Sequence, residues 1–134
     1  MTYRFMLDTN TVSMAARGES ARIDERLAGY GLGELCISVI TEGEVLFGIA
    51  KSPGATRVAR MMAAMLSRLT ILSWTRETAA EYGRLRAEMR LHGRALSPLD
   101  MLIAAHALSL GSTLITSDRA FRHVPGLQVD DWNG

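Results

Sequence analysis

Asp8, Glu44, Asp100 and Asp118 are the residues of this chain best placed to do chemistry, because each follows a short apolar run or opens a helix. Each also has an ordinary structural explanation. Asp8 can cap a helix or close an Asx turn. Thr41 and Glu44 have capping-box spacing, as does Ser97-Pro98-Leu99-Asp100, with Pro at the first helical position. Ser117 or Asp118 can cap a short turn. Together the acids allow more, since carboxylates gathered at one edge repel, raise one another's pKa and require a compensating cation. Oxygen donors suit the hard ions Mg²⁺ and Mn²⁺. The three histidines, His92, His106 and His123, are scattered without zinc-like spacing and read as caps, surface or packing residues. Carboxylates with a divalent ion activate water against a phosphodiester.

A phosphodiester substrate needs basic partners. Of the 15 basic residues all but Lys51 are Arg, whose planar fork pairs with phosphate oxygens, although the formal charge is only +1. Arg86, Arg90 and Arg94 recur every four residues, and Arg119 and Arg122 flank Asp118. The helical row reads equally as a solvated face balanced by Glu81 and Glu88, so Arg119, beside a candidate acid, is the better contact for a substrate phosphate.

The elements that must position these groups alternate. Apolar runs at Arg4 to Leu7, Leu35 to Ser38, Thr70 to Trp74 and Ser112 to Thr116 read as buried strands, and Leu127 to Val129 adds a short edge strand after Pro125-Gly126. Helices are expected from Ser20 to about Tyr30, from a Thr41 cap through Val45, Leu46 and Ile49, and along the stripe Met61, Met62, Met65, Leu66 and Leu69. Two more run from Arg76 to His92, closed by Gly93, and from Pro98 to Leu110, closed by Gly111. The pattern predicts an α/β fold with a mainly parallel twisted sheet of four to five strands and helices on both faces. Ligands of such sheets bind beyond the carboxyl ends of the strands, near the reversal of strand order. Asp8, Glu44 and Asp118 fall there, and Asp100 opens the helix that leads into the last of those strands.

Composition bounds the rest. A length of 134 residues suits one domain, and 48% hydrophobic with 22% charged residues excludes a disordered chain. No apolar run reaches the roughly 18 residues of a membrane span, and Asp8 interrupts any signal-peptide core, so a cytoplasmic protein is expected. Cys36 is the single cysteine and the eight methionines serve chiefly as core filler. No G-x-x-x-x-G-K-[ST] or G-x-G-x-x-G motif follows a strand, which disfavours a nucleotide-binding module.

Four segments in order carry a resemblance over essentially the whole chain: Met6-Leu7-Asp8-Thr9-Asn10; Ser38 to Gly48 with Glu44-Val45-Leu46-Phe47-Gly48; Pro98-Leu99-Asp100 to Ala107; and Leu114-Ile115-Thr116-Ser117-Asp118 with Phe121 and Val124-Pro125-Gly126-Leu127. The chain resembles the PIN-domain ribonucleases, in particular the VapC-type and FitB-type toxins of type II toxin–antitoxin systems. The resemblance implies a single PIN domain over residues 1–134 with a three-layer fold. It makes Asp8, Glu44, Asp100 and Asp118 the catalytic acidic quartet, with Asp8, Asp100 and Asp118 on Mg²⁺, or Mn²⁺ in its place, and Glu44 as a further ligand or as base for the attacking water. Thr9, Asn10 and Thr116 would support them, and Ser117 stands where many members have Asn. Glu42 is a poorer substitute for Glu44. The implied reaction is in-line hydrolysis of RNA, often tRNA, leaving a 5′-phosphate and a 3′-hydroxyl. The implied partners are a small antitoxin and a second copy of the chain. Two other readings compete. A haloacid-dehalogenase-like phosphatase also opens on a strand ending in Asp, but Asn10 occupies its usual second acid and Lys51 has no strand beside it. The other is a non-catalytic interaction domain of the same fold.

Overall fold

The computed structural model of the chain describes residues 3–134. Strand β1 (Phe5–Leu7) is followed by helices α1 (Thr9–Arg17) and α2 (Ala21–Ala28), then strand β2 (Leu35–Ser38). Helices α3 (Val39–Ala50) and α4 (Thr56–Arg68) lead to strand β3 (Thr70–Leu72). Helices α5 (Arg76–Leu91) and α6 (Pro98–Leu110) precede strand β4 (Thr113–Ile115), and a 3₁₀ turn (Arg119–His123) precedes strand β5 (Val129–Asp130). The sheet has five strands, all parallel, in the order β3-β2-β1-β4-β5. Strand order reverses between β1 and β4, and Asp8 and Thr116 leave the sheet on either side of that point.

Alternation along the strands builds two cores. Phe5, Leu7, Leu35, Ile37 and Ile115 pack on one face with Val12, Ile23, Val45, Met62 and Met65 of α1 to α4. Met6, Cys36 and Leu114 pack on the other with Leu85, Met89, Ile103 and Ala104 of α5 and α6. Cys36 is a buried free thiol there, pushed up to about 12 by burial, which suits a packing role. The first core closes with Trp132, stacked on Tyr30 and edge-on to Phe5. On the second face Trp74 meets Tyr82 edge-on. No helix among the described residues is long and apolar enough to cross a membrane.

Several expectations shift. Helix α1 is absent from the sequence reading because nine residues give little period to read; Asp8 starts it and Gly18, at φ 65°, ends it. Thr41 does not cap α3. The helix starts directly after β2 with no loop, so Ser38 is the cap, its Oγ accepting from the Ile40 N–H at 3.0 Å, and Thr41 is buried inside. The strands are mostly shorter than expected, ending at Leu72 for β3 and starting at Phe5 and Thr113 for β1 and β4. The edge strand lies one or two residues later, at Val129–Asp130.

Candidate active site

Strand β1 ends at Leu7 because Asp8 turns the chain into α1. Its backbone N–H still donates to the Ile115 carbonyl at 3.0 Å, while its Oδ1 accepts from the Thr11 N–H at 2.8 Å. The side chain that starts the helix is thereby fixed beside β4. Asp8 is only 4% exposed, and burial raises its carboxyl above the ordinary value, against bonds from Thr11 and Thr116 that favour the charged form and with a small further rise from Asp100. Asp8 and Asp100 are therefore electrostatic neighbours. Asp100 is half-buried in the first turn of α6, where its N–H donates to the cap Ser97 Oγ at 3.3 Å and Pro98 takes the first position.

Glu44 faces α1. Thr9 Oγ1 donates to its Oε1 at 2.6 Å and lies 3.5 Å from Thr41 Oγ1, so the capping-box geometry expected for Thr41 and Glu44 gives way to a link between two helices. Oε2 remains for other contacts. Asn10 is exposed on the first turn of α1 and joins Thr9 and Glu44 in the wall of an adjoining cavity of about 440 Å³. Buried Thr116 receives the Asp118 N–H on its Oγ1 at 3.0 Å, which sets the start of the 3₁₀ turn. Asp118 is exposed and caps that turn, accepting from the Ala120 N–H at 2.9 Å. Ser117 turns away: its hydroxyl donates to Asp131 at 2.7 Å.

No basic residue pairs with Asp8, Glu44, Asp100 or Asp118; the ion pairs among the described residues are Arg4–Glu34, Arg17–Glu19, Arg84–Glu81 and Arg84–Glu88. Nor do three acids, histidines or cysteines close into one metal-binding group among those residues. Asp8 and Asp100 nonetheless lie close enough to repel, and a buried carboxylate without a countercharge is costly. The donor set, all oxygen, fits a hard divalent cation.

The helical Arg row differs from expectation. Glu81 and Glu88 are held by Arg84, on the neighbouring face, while Arg86 donates to the Tyr82 hydroxyl at 2.8 Å and Arg90 and Arg119 are exposed. His106, expected from the sequence as a cap, surface or packing residue, is a buried polar bridge. Its Nδ1 lies 2.8 Å from Ser38 Oγ. This bond ties α6, the helix of Asp100, to Ser38, the cap of α3, the helix of Glu44. Burial lowers the His106 pKa, opposed by a bond to the Ser73 backbone. A lone His at helical spacing gives no sequence signal for this.

The family model of the PIN domain matches residues 5–127. The chain belongs to the PIN-domain family. It is 35% identical over 130 residues to the tRNA(fMet)-specific endonuclease VapC of Salmonella typhimurium, covering 96% of this chain and 98% of that protein. It has the same identity and coverage with ribonuclease VapC2 of Haemophilus influenzae. The crystal structure of DNA-bound VapBC from Salmonella typhimurium superposes with a TM-score of 0.91 at 34% identity, covering 98% of this chain and 99% of that one. FitAcB from Neisseria gonorrhoeae gives a TM-score of 0.84 at 25% identity, covering 96% and 97%. The VapC-type resemblance, the PIN-like α/β fold and the nuclease class read from the sequence therefore hold.

Proposed function

We propose that this PIN domain is a metal-dependent endoribonuclease and the toxin of a type II toxin–antitoxin pair, cutting RNA at Asp8, Glu44, Asp100 and Asp118. The observation that carries it is Asp8: a buried carboxylate at the reversal of strand order, neighboured by Asp100 and without a cationic partner among the described residues. Asp8, Asp100 and Asp118 would hold Mg²⁺ or Mn²⁺, and the bound ion would supply water activation and charge neutralisation at the phosphate. The protein's own residues do the placing. The Thr11 N–H and the Thr116 hydroxyl orient Asp8. Thr9 fixes Glu44 through Oε1 and leaves Oε2 to take a proton from the attacking water.

The substrate reading, RNA and specifically tRNA, rests on the relative named for tRNA(fMet). The partner reading, a small antitoxin, rests on solved relatives that are VapBC and FitAB complexes. A cytoplasmic homodimer completes the proposal; exposed Phe47 and Leu91, at 66% and 85%, are apolar surface that a second copy or the antitoxin would cover. Incubation of purified protein with tRNA tests the reading. Cleavage is expected with Mg²⁺ or Mn²⁺, is abolished by EDTA and leaves 5′-phosphate ends that a 5′-phosphate-dependent exonuclease degrades. Cleavage in EDTA, or fragments ending in a 2′,3′-cyclic phosphate, would overturn it.

A further inference from the structure

A strand cut at the acid crevice has neighbouring phosphates that need cationic partners, and the structure brings two arginines together in a second cleft. Between the C-terminal end of α5 and the segment running from the 3₁₀ turn to β5 lies a cleft of about 570 Å³, lined by Glu88, His92, Arg94, Arg122 and His123, with residues 124–128 as its far wall. Glu88, the acid in this lining, is turned to Arg84 at 2.9 Å. Arg122 feels the Asp131 carboxylate but makes no ion pair with it among the described residues. The excess charge of the cleft is positive.

Its donors are set in place by backbone and side chain together. Gly93, at φ 65°, turns the chain after α5, and the Arg94 N–H donates back to the Met89 carbonyl at 2.9 Å. A guanidinium only donates, so the contact from Arg94 Nη1 makes His123 Nδ1 the acceptor and leaves the ring hydrogen on Nε2. His92 Nδ1 lies 2.9 Å from the Glu88 carbonyl, which only accepts, so that nitrogen carries its hydrogen. The cleft also has a fixed relation to the acids. The 3₁₀ turn begins at its cap Asp118 and ends with Arg122 and His123. At about 2.0 Å rise per residue, Arg122 stands roughly 8 Å along the turn from Asp118.

We propose that this cleft is a phosphate-binding subsite that grips a backbone phosphate of the RNA strand adjacent to the one cleaved. It rests on the nuclease reading, and it assigns substrate grip to Arg94 and Arg122, which line the cleft, rather than to Arg86, which does not. A guanidinium neutralising a phosphate releases condensed counterions, so the subsite is visible in salt dependence.

The test is anisotropy of a labelled single-stranded RNA over a salt series in EDTA, where no cleavage occurs, together with cleavage kinetics in Mg²⁺. Arg94→Ala with Arg122→Ala should lower the log–log salt slope by about 0.7 to 1.4, the loss of one or two contacts on a single strand. KM should rise, with kcat within about twofold of wild type. Arg94→Gln with Arg122→Ala keeps a donor for His123 and should give the same loss, which separates charge from local folding. Arg57→Ala with Arg60→Ala, on α4 across the sheet, should leave the slope unchanged. An unchanged slope in the Arg94/Arg122 variants, or an equal fall in the Arg57/Arg60 control, overturns the subsite. Asp8→Asn should bind RNA with the wild-type slope while failing to cut. A wild-type protein that binds through the cleft yet never cleaves would sink the nuclease reading and leave the subsite standing.

Discussion

Asp8 and Asp118 follow neighbouring strands and use the same local device, a carboxylate oxygen accepting from the backbone of the helical turn it opens, at 2.8 and 2.9 Å. Their surroundings differ. Asp8 opens a nine-residue helix packed into the core and is 4% exposed, whereas Asp118 opens a five-residue 3₁₀ turn at the surface. A cap is therefore not one kind of residue. On the β1 side Asp8 is desolvated and held by Thr11 and Thr116; on the β4 side Asp118 is open to water. In the proposed nuclease the buried half fixes where an ion sits and the solvated half lets a strand reach it.

The sharpest test of that contrast is Asp8→Asn against Asp118→Asn. Both should cut cleavage by roughly a thousandfold, the scale of the several kcal/mol a catalytic metal supplies. Only Asp8→Asn should raise the metal-free melting temperature at neutral pH, since Asn caps helices as well as Asp and removes a buried charge. If Asp118→Asn stabilises equally, the two halves are not distinct.

Thr9→Val comes next. Loss of the hydroxyl frees Glu44 from its 2.6 Å bond and should lower kcat by about 10- to 100-fold, the range seen when a partner of a metal-site residue is lost, with KM little changed. A change confined to KM would place Glu44 in substrate binding instead.

A smaller effect is the pH dependence of the metal-free fold. Burial raises the Asp8 pKa above 3.8, so the folded protein keeps a proton there that the unfolded chain has lost. Stability from that proton is full below 3.8 and is lost as pH rises through the folded value. The melting-temperature gap between Asp8→Asn and wild type should open as pH rises and close below about pH 3.8. His106, lowered from 6.5 by burial, works the other way, destabilising the fold as pH falls below 6.5, and it cancels in the difference. A gap that does not vary with pH would show that Asp8 is not the titrating group.

Smallest is Ser117→Ala. Its hydroxyl is spent on Asp131, so cleavage should be unchanged and stability shift by no more than about 0.5 kcal/mol. A large loss of cleavage would mean that Ser117 turns into the site when substrate binds.

The sequence showed the strands and the acids because both leave local marks. Buried parallel strands read as short apolar runs, and Ser20, Ser97, Gly93 and Gly111 punctuate helices as their chemistry requires. What it hid is tertiary. Thr9 reaches Glu44 across 35 residues of chain, and Ser38 reaches His106 across 68. The Thr41–Glu44 capping box was misleading because a sound local motif lost to a helix that begins three residues earlier. The partners of the acids near the Arg row were hidden too: i,i+3 and i,i+4 spacing gives Glu81 and Glu88 to Arg84 rather than to Arg86 or Arg90.

The two tryptophans give the molecule a built-in optical readout of its layers. Trp132 belongs to the core beneath α1 to α4, and Trp74 packs against the core beneath α5 and α6. Trp74→Phe and Trp132→Phe would each leave a single indole reporting on one side of the sheet. Strands of two to four residues cannot hold a layer once the opposite one has gone, because alternate residues of the same strand belong to different cores. The two emission signals should consequently change at the same denaturant concentration, with the sheet as a shared wall that makes two hydrophobic layers melt as one.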